Sequence, residues 1–204
     1  MGIPVLILGE SGSGKSTSLR NFEPGEIGIF NVASKPLPFR KKIPKLDGAT
    51  YSQIMQSLAN HKLKRYCIDD SQYLICFEFF GRASETGYAK FTDMALNFYN
   101  LIQFVIYNTP PDVIVYFLHH CETTNDGKII AKTAGKMLNE KLTVEGLFAI
   151  VLYCAVDSSG QHNFITQSDG RTTAKSPMEM FPMIIDNDLK YVDAKIREYY
   201  ELGG

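Results

Sequence analysis

The feature that most constrains this chain is a run of eight residues, Gly9-Glu-Ser-Gly-Ser-Gly-Lys-Ser16. It follows directly on the apolar stretch Ile3–Leu8. The run fits G-x-x-x-x-G-K-[ST] at every fixed position. A continuous apolar stretch of that length reads as a strand buried on both faces, as in parallel sheets. Glycines at the fixed positions let the backbone turn with positive φ and come close to a bound anion. Successive main-chain N–H groups then point inward as an anion nest. A helix expected from about Gly14 adds its positive end. These are the demands of a phosphate-binding loop between a strand and a helix.

The residue roles follow from that chemistry. Gly9, Glu10, Ser11, Gly12, Ser13, Gly14, Lys15, Ser16 and Thr17 form the expected nucleotide-binding segment. Lys15 supplies a movable charge for the β- and γ-phosphates. The Ser16 hydroxyl supplies an oxygen ligand for Mg²⁺, and Thr17 a further phosphate contact. The expected ligands are therefore ATP and Mg²⁺.

Such a site needs a carboxylate from a neighbouring strand. Tyr66-Cys67-Ile68-Asp69-Asp70 offers an apolar strand ending in two acids. In one register Asp69 serves Mg²⁺ and Asp70 orients the attacking water. In the other Asp70 is the magnesium residue. Successive side chains of a regular strand point to opposite faces, so the two roles must differ; the first register is preferred.

The remaining pattern alternates strand and helix, so an α/β fold with a mostly parallel sheet is expected. Strands are read at Ile3–Leu8, Ile27–Asn31, Arg65–Ile68, Val113–Leu118, Phe148–Ala155 and His162–Thr166. The last two, joined by Asp157-Ser-Ser-Gly160, read as an antiparallel hairpin. Helices are read near Ser52–Asn60, Tyr88–Tyr107 and Leu189–Tyr200. The second has apolar residues at helical spacing and stops before Pro110-Pro111. Ser34–Asp47 reads as irregular, and Gly81–Tyr88 and Glu122–Lys136 as polar loops of the kind that often carry function. At 204 residues, 45% of them apolar, one domain is expected, with a nucleotide-binding core over 1–155 and a C-terminal hairpin and helix over 156–204.

Other candidates are less constrained. His119 and His120 are expected at the end of the fourth long strand, where ligands of α/β sheets bind. Either can be a phosphate-sensing or a packing histidine. Arg171 and Lys175 are cations able to reach a nucleotide in a neighbouring subunit. Arg40, Lys41, Lys42 and Lys45 are the strongest basic cluster and a candidate contact for single-stranded DNA. Tyr88 is a candidate for base stacking. Net charge is −1, so any nucleic-acid contact must be a local patch. The four cysteines form no C-x-x-C pair and read as reduced thiols. No leader or membrane span is read, and a cytoplasmic location without membrane contact is expected.

On Gly9–Thr17, Ile68-Asp69-Asp70-Ser71-Gln72-Tyr73-Leu74, the His119-His120 pair and Phe164–Lys175, the chain resembles the AAA/RecA-like P-loop ATPases of bacteriophages. That group includes single-strand-annealing recombination ATPases. Ile68–Leu74 is also similar to the acidic motif of replication-initiator ATPases. The resemblance implies a RecA-like core, ATP rather than GTP, homo-oligomers, ATP hydrolysis, and work on single-stranded DNA in phage replication or recombination. One departure stands out. RecA-like enzymes usually carry a catalytic Glu near the end of strand two, where this chain reads Asn31-Val-Ala-Ser-Lys35. Either Asp70 takes the water-activating role or hydrolysis is slow. Two other functions are therefore kept open: a nucleotide-switched assembly or loader protein with little turnover, and a nucleotide or small-molecule kinase. The absence of arginine between Phe104 and Arg171 argues against the kinase, whose lid is usually arginine-rich.

Overall fold

The computed structural model describes residues 1–133 and 143–203. Its centre is a mixed, mostly parallel sheet. In chain order the strands are β1 (Ile3–Gly9), β2 (Gly28–Asn31), β3 (Lys45–Asp47), β4 (Arg65–Asp69), β5 (Ile114–Thr123), β6 (Ile129–Ala131), β7 (Ile150–Val156), β8 (His162–Ile165) and β9 (Ile184–Asp186). Their order across the sheet is β3-β2-β4-β5-β1-β7-β8-β9. Strands β3 to β7 along that order run parallel, and β8 and β9 add two antiparallel pairings. Strand β6 folds back on the far end of β5.

Strand β1 shows why the sheet is covered on both faces. Leu6 and Leu8 belong to a core on one side, with Phe98, Leu101 and Val105. Val5 and Ile7 belong to a core on the other, with Leu189, Val192 and Ile196. Alternation along the strand sends its side chains to two different layers. Helices α1 (Tyr51–Asn60), α2 (Gln72–Gly81) and α3 (Ala89–Asn108) cover the first face, and α4 (Leu189–Tyr199) the second.

Local signals set the helix ends. Thr50 and Gln53 form a reciprocal capping box that starts α1. Thr109, forced to ψ 153° by the proline after it, ends α3. Asp188 caps α4 by accepting from the amides of Lys190 and Tyr191. Among the described residues no helix is long and apolar enough to cross a membrane. The four cysteines are free thiols.

Several expectations are corrected. The segment after the glycine loop is a six-residue 3-10 turn, Ser16–Asn21, and not an α-helix from Gly14. Two serines, a threonine and the tight loop before them favour the shorter form. Residues 72–81, assigned no helix from sequence, form α2. Tyr73–Phe80 is nearly all apolar, so no periodicity marked it. Lys45–Asp47, within the stretch expected to be irregular, adds β3 to the sheet edge. Strand β5 runs on to Thr123 because β6 pairs with its end. This places part of the expected loop 122–136 in a hairpin, and its residues 134–136 lie outside the described residues. The segment after residue 155 continues the same sheet through β8 and β9, and α4 closes the core beneath β1.

Candidate functional site

Strand β1 lies between β5 and β7, but the chain leaves it for β2 at the far side of β5 and β4. Its carboxyl end is thus a topological switch point, where an open α/β sheet forms a crevice. Residues 9–17 occupy that place. Gly12 has φ +83° and Gly14 φ +99°, a region that side chains strongly disfavour. At Gly14 an added Cβ would also lie 2.7 Å from Nδ1 of His162. Among the described residues, the amides of Gly12, Gly14 and Lys15 have no hydrogen-bond partner. Three free donors along a turned backbone make an anion-binding concavity.

Lys15 is folded back into this loop. Its Nζ donates to Gly9 O at 2.8 Å and Glu10 O at 2.9 Å. Burial lowers the pKa of its ammonium, against the raising pull of Asp70. On the loop's other flank, Ser13 O accepts from Cys154 Sγ at 2.9 Å and contacts His162 Nδ1 at 2.7 Å. Asn187 Nδ2 in turn donates to Cys154 Sγ. Strands β7 and β8 therefore brace the loop through its main chain.

The acids come from the end of β4. Ser16 Oγ donates to Asp69 Oδ1 at 2.8 Å, so the hydroxyl of the loop and the carboxylate of β4 already share one place. Burial raises the Asp69 carboxyl, the Ser16 hydrogen bond opposes it, and the neighbouring Asp70 charge raises it further. Asp70 also lines the cleft. The alternation rule would turn it away, but its φ of +60° breaks the strand and brings both carboxylates to one side. Aspartate is among the few residues that tolerate that conformation.

Two side chains lie against Asp70. Lys35 Nζ lies 2.8 Å from Oδ2 and His120 Nε2 3.2 Å from Oδ1. Burial would raise the Asp70 carboxyl, but its contacts with His120 and Lys35 outweigh this and bring it down to about 2.

The two histidines separate cleanly. In the parallel register His119 sits beside Leu8 and His120 beside Gly9, so they face opposite sides of the sheet. His119 is buried against Phe98. Its Nε2 donates to Lys132 O at 2.8 Å, leaving Nδ1 to accept from the Ser71 hydroxyl at 2.9 Å. Burial pushes its pKa down to about 4, so it is a neutral packing histidine. His120 is the one that faces the cleft.

The cleft is roughly 380 Å³ and joins the loop to Lys35, Asp69, Asp70, His120 and His162. Other expected site residues lie elsewhere. Arg171 and Lys175 do not line it. Their main chains are tied to Ile129 and Val151 respectively. In the basic cluster, Lys41 pairs with Glu23 and Lys45 with Asp47, while Arg40 and Lys42 are exposed. Tyr88 is exposed just before α3. Lys35 and His162 were not singled out from sequence as site residues. Lys35 becomes visible only once β2 pairs with β4, and no spacing rule links it to Asp70.

No known family model matches the chain, and no curated protein matches it. The arrangement must therefore be judged on its donors. Among the described residues no group of three or more His, Cys, Asp or Glu is placed to hold a metal ion. The site instead offers one hydroxyl and one carboxylate beside free amides and a lysine. That set fits Mg²⁺, which usually takes one or two protein oxygens, keeps several waters, and completes its shell with substrate phosphates.

Proposed function

We propose that this chain binds ATP with Mg²⁺ in the cleft above β1 and hydrolyses it. The observation that carries the reading is the Ser16–Asp69 contact at 2.8 Å directly beside the unpartnered amides of Gly12, Gly14 and Lys15. A hydroxyl and a buried carboxylate brought together beneath an anion nest have little purpose in packing. They suit a shared cation whose other ligands are phosphate oxygens.

In this reading the loop amides hold the phosphates, and Lys15 exchanges its carbonyl partners for phosphate oxygens. Ser16 and Asp69 would hold Mg²⁺, which neutralises phosphate charge when bound. Asp70 accepts a hydrogen bond from the attacking water and so orients it. The water oxygen forms a bond to the terminal phosphorus, the bridging P–O bond breaks, and ADP, phosphate and a proton leave. While Lys35 and His120 hold its carboxyl down to about 2, Asp70 is a weak base that positions a water better than it deprotonates it.

The pair at 2.8 Å by which Lys35 occupies that carboxylate, with no acid among residues 31–35, favours a second reading, a nucleotide-switched assembly or loader protein with little turnover. The two share one binding site and differ in rate. The resemblance to phage recombination ATPases adds oligomers and single-stranded DNA to the proposal, in which Arg171 and Lys175 act on a neighbouring subunit's nucleotide and Arg40 and Lys42 touch DNA.

Equilibrium titration with ATP and magnesium, followed by phosphate-release measurements with and without single-stranded DNA, tests this. Lys15→Ala is expected to weaken ATP binding at least tenfold, the loss of about one charge-assisted contact. Tight binding with negligible release supports the switch. Phosphate on an added acceptor would reassign the chain as a kinase. Equal binding by wild type and Lys15→Ala would sink the nucleotide reading altogether.

A further inference from the structure

The cation after β2 stands where the resemblance leads one to expect an acid. Its main chain is fixed, because Asn31 Nδ2 donates to Lys35 O at 2.7 Å. Its head is not: the side chain is 56% exposed. The ammonium rests between Asp70, at 2.8 Å, and the ring of Tyr73, 4.9 Å from its centroid. Tyr73 is itself set edge-on to His120. Lys35 thus lines the same cleft as Gly12, Gly14 and Lys15, on a tether that lets its charge move while its base stays put.

Charge balance in the cleft gives that mobility a purpose. Without ligand, Lys15 and Lys35 face Asp69 and Asp70. A triphosphate with its metal brings more negative charge than Lys15 alone offsets. Asp70 is largely buried, but the Lys35 head that pairs with it is half exposed, so solvent screens the pair and the ammonium can be drawn away. A terminal phosphate presents several charged oxygens and is the stronger partner.

We propose that Lys35 is a ligand of the terminal phosphate: its ammonium leaves Asp70 for that group when triphosphate binds and returns when diphosphate remains. The chain thereby reads triphosphate against diphosphate in its own subunit. The same exchange uncovers Asp70 Oδ2 for the attacking water only while there is a phosphate to attack. This inference rests on the nucleotide reading above.

The test is equilibrium binding of ATP, a non-hydrolysable ATP analogue and ADP, each with magnesium, to wild type, Lys35→Ala, Lys35→Arg and Lys15→Ala. Lys35→Ala is expected to weaken ATP and the analogue about tenfold or more and leave ADP within about twofold. Lys35→Arg should restore most of the preference, since a guanidinium also binds phosphate. Unchanged ADP binding shows that the cleft is intact in the variant. Loss of ATP and ADP binding in equal measure, or of neither, would overturn the role given to Lys35 while leaving the nucleotide site standing. Absence of binding by wild type to all three ligands would instead remove the nucleotide reading, and this inference with it.

Discussion

The pairing of Asp70 with Lys35 and His120 makes a stability prediction that needs no ligand. A fall of the Asp70 carboxyl from 3.8 to about 2 corresponds to roughly 2.5 kcal/mol, at about 1.4 kcal/mol per tenfold change in proton affinity. Solvent around the half-exposed Lys35 head screens part of this, so about 1–2 kcal/mol is expected. Because the folded pKa is depressed, the contribution is fully present above pH 3.8 and is lost as pH falls toward about 2. Asp70→Asn isolates it. Asparagine also tolerates a φ near +60°, so the backbone is unstrained and the change is one of charge. Relief of the Asp70 repulsion on Asp69 works the other way and puts the expected loss at the lower end of the range. Urea unfolding of wild type and Asp70→Asn should show a gap of about 1 kcal/mol near neutral pH, narrowing as pH is lowered below about 4. Shared changes in other carboxylates cancel in the comparison. A gap that stays constant with pH, or a variant more stable than wild type at neutral pH, would refute the claim that this ion pair holds Asp70 ionised.

Two further outcomes test the frame around the site. Gly14→Ala places a Cβ at φ +99° and 2.7 Å from His162 Nδ1, so ATP titration should show at least a tenfold loss in affinity, with destabilisation of about 1–2 kcal/mol. Asp193 accepts from Arg65 and Arg197 through Oδ2 and from Tyr116 through Oδ1. Asp193→Ala leaves the buried Arg197 only the carbonyls of Asp112 and Lys64, whereas Arg65 can turn to water. Urea unfolding should show a loss of about 3 kcal/mol.

How far the site was legible follows from which contacts are local. The loop, the strand before it and the acid-ended strand were readable because each is a run of neighbours whose residue types obey one local rule. The helix α3 was readable because Met94, Phe98, Leu101, Ile102 and Val105 repeat with one period. Helix α2 was not, since its side chains are apolar on nearly every face, and the 3-10 turn was not, since the pull of its serines and threonine toward the shorter form shows only once the tight loop before them is in place. The histidines show the limit most clearly. Their order in the chain left both open, and only the register of β5 against Gly9 of β1 decided that His120 meets Asp70 while His119 packs on Phe98. Lys35 is the same case across a longer gap. It reaches Asp70 because β2 and β4 run parallel with Asn31 beside Asp69, which brings the two strand ends, and whatever follows each, to one edge. In a parallel sheet the chemistry is assembled from the residues just past several carboxyl ends. Which of them touch depends on strand order, and no local rule along the chain states that order. The lysine after β2, where the resemblance leads one to expect an acid, makes Asp70 one half of an ion pair. On the nucleotide reading proposed above, that pair is what a bound phosphate would have to compete to open.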